Sequence, residues 1–274
     1  MEIYNEDCIT GMKKHIKDCT VDLIFTDPPY GIEGDKLDQH YNRKESYVVP
    51  GYVDVAIDEY DEFSNKWISE CARVLKPGAS MYIVSGYTGL RSILNALHHT
   101  DLIEVNHLIA QYTFGVSTKN KYVSSHYHVL YYVKPPLSKK TFNPYCRYSD
   151  HGDSYLDRMS VQTLKRSYKP KTIKNKNQLP EEFIEKFMLY SSNRGDVILD
   201  PFLGGFTTAN TAIRYGREII GFELNENAVK AFKPLLQNIV VQADPTPIDP
   251  TSEVLAARIK KRKGYRKKIA NIFE

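Results

Sequence analysis

Four short strand-like runs in this chain, the last three of them apolar, each lead into a carboxylate, and no other feature of the sequence narrows the fold as far. Residues 2–5 lead to Asp7, residues 21–26 (Val-Asp-Leu-Ile-Phe-Thr) run into Asp27, residues 196–199 end at Asp200, and residues 219–222 end at Glu223. Runs of this length, apolar and bounded by turn residues, read as buried strands. Helical spacing fills the intervals: 8–17; 62–75 through Phe63, Trp67, Ile68, Cys71 and Leu75, stopped by Lys76-Pro77-Gly78; 90–98; a helix opened by Pro180 through Phe183, Phe187 and Tyr190; 207–215; and 227–237. Further strands are predicted at 81–84, 105–114 and 127–133. Strands alternating with helices on both sides of a polar insertion predict an α/β, doubly wound, mostly parallel sheet. Such sheets bind ligands at the carboxyl ends of their strands, which is where Asp7, Asp27, Asp200 and Glu223 fall.

With 274 residues, 42% apolar and 26% charged, the chain suits one substantial core with a modest insertion rather than two large domains. No run approaches the roughly 18 apolar residues of a membrane span, and the opening residues are neither basic nor followed by an apolar stretch. A soluble, cytoplasmic protein without a targeting signal is expected. Cys8, Cys19, Cys71 and Cys146 lie far apart with no C-x-x-C pair, so neither a zinc site nor a disulfide framework is expected. His126 and His128 alternate on a predicted strand without acidic or cysteine neighbours, which favours packing or hydrogen bonding over a metal. Trp67, at helical spacing with Ile68 and Cys71, is expected in the core.

The net charge of +4 is unevenly spread. Between 134 and 178, eleven Lys or Arg face three Asp, leaving that stretch at about +8, with Tyr145, Tyr148, Tyr155 and Tyr168 among the cations. Cations interleaved with aromatic rings are what a nucleic-acid surface requires. Lys139, Lys140, Arg147, Arg158, Lys165, Arg166 and Lys169 are the expected DNA contacts. A second basic run, Arg258 to Lys268, suits a solvated helix as well as it suits binding.

Around the carboxylates, two segments carry chemistry. In Asp200-Pro201-Phe202-Leu203-Gly204-Gly205-Phe206-Thr207-Thr208, a strand end meets a glycine turn and a helix start, where backbone N–H groups can approach a ligand. Glu223 lies nineteen positions beyond Gly204, suited to the hydroxyls of an adenosine ribose. The G-x-G-x-x-G spacing of a pyrophosphate site is absent, which favours S-adenosylmethionine over a nicotinamide cofactor; its carboxylate would go to the Thr207 and Thr208 end of the helix. The sharper segment is Asp27-Pro28-Pro29-Tyr30. Two prolines fix an extended turn, so that Asp27 and the Pro28 carbonyl can both accept from one exocyclic amine while Tyr30 offers a ring to a base. Gripping both N–H bonds frees the amine lone pair for in-line attack on a methyl group. The aperiodic stretch 31–61 is a candidate to close over an extruded base.

Asp27-Pro28-Pro29-Tyr30 and Asp200-Pro201-Phe202-Leu203-Gly204 resemble the catalytic and cofactor motifs of amino-group DNA methyltransferases, and their order resembles the circularly permuted β class. Asn5-Glu6-Asp7-Cys8 is similar to the family's adenine-contacting strand end, Arg73-Val74-Leu75-Lys76-Pro77-Gly78 to its helix-to-strand link, His126 to Leu130 to the motif before its recognition segment, and Gly221-Phe222-Glu223 to its ribose-binding strand end. The resemblance implies a class I S-adenosylmethionine-dependent methyltransferase fold, permuted, with a small basic target-recognition insertion. The divisions are 1–133 (catalytic), 134–178 (recognition), 179–240 (cofactor-binding) and 241–274 (basic tail). It implies Asp27, Pro28, Pro29 and Tyr30 as catalytic residues, and Asp7, Cys8, Asp27, Asp200, Phe202, Gly204, Thr207, Thr208 and Glu223 around S-adenosylmethionine. Asp7 also suits a helix N-cap. Aspartate at the head of the catalytic word goes mostly with adenine N6, so the expected activity is adenine-N6 methylation of double-stranded DNA on a flipped base. Cytosine N4, an RNA adenine, and a non-catalytic nucleic-acid-binding module are the alternatives. No metal is implied; a homodimer and a cognate restriction enzyme are partners the family admits. Three positions depart from the family pattern: Phe206 stands where a second glycine is usual, Leu179-Pro180 where Lys-Pro is usual, and Tyr127 where an acid is common.

Overall fold

The computed structural model describes residues 1–31, 49–51, 54–112, 119–120, 122–143, 158–164 and 178–244. Among them are eight strands: β1 (Glu2–Tyr4), β2 (Val21–Thr26), β3 (Leu75–Ser85), β4 (Ile103–Gln111), β5 (His126–Val133), β6 (Val161–Thr163), β7 (Val197–Asp200) and β8 (Glu218–Phe222). They form one sheet in the order β1-β8-β7-β2-β3-β5-β4-β6. All run the same way except β5, which is antiparallel to β3 and β4. The sheet is therefore mostly parallel, as the alternation of elements predicts.

Helices cover both faces. Successive residues of a strand point to opposite sides, and β2 and β3 supply apolar side chains to both. Ile24, Met81 and Ile83 pack with α1 (Cys8–His15), α2 (Tyr60–Val74) and α3 (Leu90–His98). Leu23, Phe25, Tyr82 and Val84 pack with α4 (Glu181–Ser191), α5 (Thr207–Arg214) and α6 (Glu226–Phe232). Burial on both faces is why β2 reads as an almost unbroken apolar run. Trp67 lies in the core as expected, fully buried and edge-on to Phe202 with ring centroids 5.3 Å apart.

Three local expectations change. Lys76-Pro77-Gly78 ends α2 but does not separate it from the strand, because β3 starts at Leu75 itself. The three residues are absorbed as an irregularity between the pairs Val21↔Leu75 and Leu23↔Ser80, with Gly78 at φ +89° and its N–H on the Lys134 carbonyl. The helix expected over 227–237 stops at Phe232 and tightens into a 3-10 helix, Lys233–Asn238, because Pro234 has no N–H to continue the ladder. Inside the basic insertion, Val161–Thr163 joins the sheet edge beside β4, a strand that its length hides from any periodicity. The rest of that insertion and the basic tail fall largely outside the described residues. No described helix is long and apolar enough to cross a membrane.

The tight packing at Gly11 sets a test. A Cβ added at Gly11 of α1 would lie 2.3 Å from the ring of Phe222, which is fully buried and stacked on Tyr4. Gly→Ala stabilises an ordinary helix by about 1 kcal/mol, but overpacking against a ring that cannot retreat costs about 1–3 kcal/mol. Gly11→Ala is expected to lower stability, read as a lower midpoint in urea unfolding.

Candidate active site

Pairing of β2 with β7 places Ile24 opposite Leu199, so both strands end at the same edge of the sheet. There the Thr26 hydroxyl donates to Asp200 Oδ1 at 2.8 Å, which also accepts from the Phe202 N–H at 3.0 Å. The turn Asp27-Pro28-Pro29-Tyr30 thus opens toward the turn that follows Asp200. All four expected catalytic residues and all nine expected cofactor residues line one cleft: Asp7, Cys8, Asp27, Pro28, Pro29, Tyr30, Asp200, Phe202, Gly204, Thr207, Thr208 and Glu223.

The turn Asp27-Pro28-Pro29-Tyr30 is held at three points. Tyr30 Oη donates to Asp27 Oδ1 at 2.5 Å, Tyr60 Oη donates to the Pro29 carbonyl at 2.5 Å, and the Gly31 N–H donates to Asp54 Oδ1 at 2.9 Å. Tyr60 therefore occupies one of the two proline carbonyls. The other, on Pro28, and Asp27 Oδ2 accept no hydrogen bond among the described residues. They form a pair of adjacent acceptors at the cleft, matched to the two hydrogens of a primary amine.

The opposite wall is built by backbone. Glu223 leaves β8 with Oε2 accepting from the Gly204 N–H and Oε1 from the Asn225 N–H, both at 2.7 Å. Each oxygen keeps a second lone pair for a hydroxyl. Asp7 caps α1, its Oδ1 accepting from the Thr10 N–H at 2.9 Å, and faces the cleft as well. Thr207 Oγ1 accepts from Gln178 Nε2 at 2.7 Å, and Thr208 bonds Asp200, so both hydroxyls have protein partners at the start of α5. Phe202 presents a ring propped by Trp67 and Phe63. At the N-cap of α5, Phe206 adopts the left-handed conformation (φ +61°, ψ +22°) that glycine takes without cost, and buries its ring against Phe232.

Charge in the cleft has one sign. Glu6, Asp7, Asp27, Asp200 and Glu223 line it, and among the described residues no Lys, Arg or His does. Although Asp27 keeps part of its surface open to the cleft, the surrounding protein pushes its carboxyl up to about 7, against the Tyr30 hydrogen bond, and Asp200 adds to the rise. Burial pushes Asp200 up to about 6, resisted by Thr208, Phe202 and Thr26, and raises Glu223 in the same way. Burial also pushes the Cys8 thiol up, which keeps it a neutral wall residue.

The expected DNA contacts are scattered. Lys139 lies against Gly78 at the amino end of β3, and the Lys140 ammonium sits over Tyr131 and Phe142, 5.9 and 5.5 Å from the ring centroids. Seven residues of β3 separate Gly78 from Ser85 at the cleft end, about 23 Å at about 3.3 Å per residue. These two lysines are thus not brought to the cleft, because the chain leaves β5 at the sheet's other edge. Arg158 is exposed just before β6; Arg147, Lys165, Arg166 and Lys169 lie outside the described residues. Most of the 31–61 loop does too, but its far end returns to the cleft, where Asn225 Nδ2 donates to the Pro50 carbonyl at 2.9 Å. His128 hydrogen-bonds His107 at 2.8 Å. Tyr60, Gln178, Phe63 and Asn225 are site residues that sequence reasoning missed; only Gln178, beside the proline that opens α4, carried a local signal.

A family model described as DNA methylase matches residues 21–234. The chain is 32% identical over 244 residues to the Type II methyltransferase M.BamHI of Bacillus amyloliquefaciens, covering 81% of this chain and 54% of that protein, so it spans about half that relative's length. It is 30% identical over 269 residues to the Type II methyltransferase M.HinfI of Haemophilus influenzae, covering 94% and 72%. A crystal structure of the M1.HpyAVI–SAM complex shares the fold with a TM-score of 0.61 at 21% identity, over 86% of this chain and 98% of that one.

Two tests follow from the site. Phe206→Gly relaxes a backbone that costs about 1–2 kcal/mol but deletes a ring that is 2% exposed, a loss of about 3–5 kcal/mol; the variant is expected to be less stable by about 2 kcal/mol in chemical unfolding. Asp27, raised to about 7 on folding, contributes stability fully below about pH 4, which is lost as pH rises through about 7. Asp27→Asn removes the cost of the buried charge. Its melting temperature should exceed the parent's by at least about 2–4 °C near pH 8, with the gap closing toward pH 4.

Proposed function

This chain belongs to the DNA methylase family, and we propose that it transfers a methyl group from S-adenosylmethionine to the N6 amine of an adenine flipped out of double-stranded DNA. The observation that carries the reading is that Asp27 and Pro28, whose Oδ2 and carbonyl accept no hydrogen bond among the described residues, line one acid-rich cleft together with the glycine turn. A cleft lined, among the described residues, by five carboxylates and no cation suits a ligand that is itself cationic. S-adenosylmethionine fits, and when bound it supplies an electrophilic methyl on a positively charged sulfur.

The chain's own residues divide the remaining work. Glu223 would take the ribose hydroxyls with the lone pairs that Gly204 and Asn225 leave, Asp7 and Phe202 would flank the adenosine, and the start of α5 would receive the carboxylate end. Asp27 and Pro28 would hold both N–H bonds of the target amine, turning its lone pair out of conjugation. The Asp27 carboxyl, pushed up to about 7, is matched to receive the amine's proton at Oδ2 near neutral pH. A base stacked in duplex cannot reach this turn, so it has to be extruded at a cost of a few kcal/mol. Aspartate at the head of the turn favours adenine, by resemblance; cytosine N4 would present an amine to the same two acceptors. The basic residues between 134 and 178 that flank β6 would read the sequence, and a homodimer and a cognate restriction enzyme belong to the same proposal.

Incubation of the protein with labelled S-adenosylmethionine and duplex DNA, followed by nucleoside analysis, should yield N6-methyladenine. N4-methylcytosine would reassign the base, and label appearing in RNA instead would reassign the substrate. Asp27→Ala should lower transfer by at least about 10²-fold while cofactor binding by calorimetry survives; undiminished transfer removes Asp27 from the mechanism.

A further inference from the structure

The ring of Tyr30 suits a base, but its hydroxyl is committed elsewhere. It makes the sole hydrogen bond to the Asp27 carboxylate among the described residues, at 2.5 Å from Oδ1, and stacking would not require it. The ring is fixed in place. It is 9% exposed, lies 5.9 Å from the Tyr127 ring of β5, and packs beside Gly86, where an added Cβ would come within 3.9 Å of it. Tyr60 holds the carbonyl on the preceding residue. The phenol therefore cannot leave Asp27 without unpacking from β3 and β5.

We propose that Tyr30 is a positioning residue for Asp27, whose hydroxyl holds the carboxylate so that Oδ2 alone is presented to the target amine, and keeps it ionised among the acids of the cleft. This rests on, and deepens, the reading of the cleft as an amine-methylating site. The groups around Asp27 explain why the hydroxyl matters. Asp200 faces it from β7; Glu6, Asp7 and Glu223 line the same cleft from the ends of β1 and β8; Tyr60 from α2 and Tyr127 from β5 are neutral; among the described residues no cation lines the cleft. Every charged neighbour among the described residues opposes ionisation of Asp27. The phenol is the group that favours it, since a hydrogen bond donated to a carboxylate stabilises the charged form. Even with it, Asp27 is pushed up to about 7.

Tyr30→Phe keeps the ring and removes the hydroxyl, which separates the two roles. Titration of the Asp27 carboxyl carbon by NMR on aspartate-labelled protein, assigned with Asp27→Asn, should place its midpoint about one pH unit higher in Tyr30→Phe than in the parent. The acid limb of DNA methylation should move with it, leaving the variant several-fold slower near pH 7 and close to the parent near pH 9. If Asp27 titrates alike in both proteins, or if the variant's rate changes by one factor at every pH, the hydroxyl does not govern Asp27 and the proposal is overturned. A parent that binds S-adenosylmethionine yet methylates nothing would remove the proposed function instead, and the NMR comparison would still decide the role of Tyr30.

Discussion

The hydrogen bond from the Thr26 hydroxyl to Asp200 joins segments 174 residues apart and sits where two parallel strands end side by side. Everything at the cleft depends on that junction. Thr26 is the last residue of β2, so Asp27 begins the proline turn from a fixed point. Asp200 is the last residue of β7, so the glycine turn begins beside it. A slip of one residue between β2 and β7 would exchange the faces of every side chain on one strand. The apolar residues of both strands, buried on two faces, prevent it.

The same junction concentrates negative charge. Asp27 and Asp200 are raised chiefly by burial, and Glu223 with them. Among the described residues no salt bridge relieves them; their partners there are hydroxyls and backbone N–H groups. Such donors orient a carboxylate and satisfy part of its demand while leaving its charge uncompensated. The cleft is thereby less stable than an apolar one and better matched to a cation, a compromise usual where chemistry is done.

Rigidity around the turn comes from aromatic side chains rather than from the turn itself. Tyr30 and Tyr60 place their hydroxyls on the turn, and Trp67 and Phe63 support Phe202 opposite. Phe206 holds a left-handed backbone because its ring fills the core beside Phe232, so packing offsets local strain. This departure from the family's glycine leaves the neighbouring contacts intact: Gly204 still reaches Glu223.

The elements that interact locally were legible in the residues. Helical spacing located α3 at its bounds and α2 to within two residues, and the runs before Asp27, Asp200 and Glu223 became strands ending at or next to those carboxylates, whereas β1 stops at Tyr4, three residues before Asp7. The acids of the site were visible because they terminate those runs. Less legible was whatever depends on a distant partner: β6 exists only as an edge pairing with β4, and Lys76-Pro77-Gly78 extends β3 because Lys134 and β2 accept it. Tyr60 was hidden for the same reason, since its hydroxyl acts on a carbonyl 31 positions earlier. The place of the basic residues was equally hidden: Lys139 and Lys140 lie at the amino end of β3, away from the cleft. Alternation of strands and helices and the chemistry at the strand ends were written in the residues, because periodicity and turn residues are local properties. Which acceptors stay open to a ligand was settled by folding, because occupancy of a hydrogen-bond site depends on residues that the chain brings together from far apart.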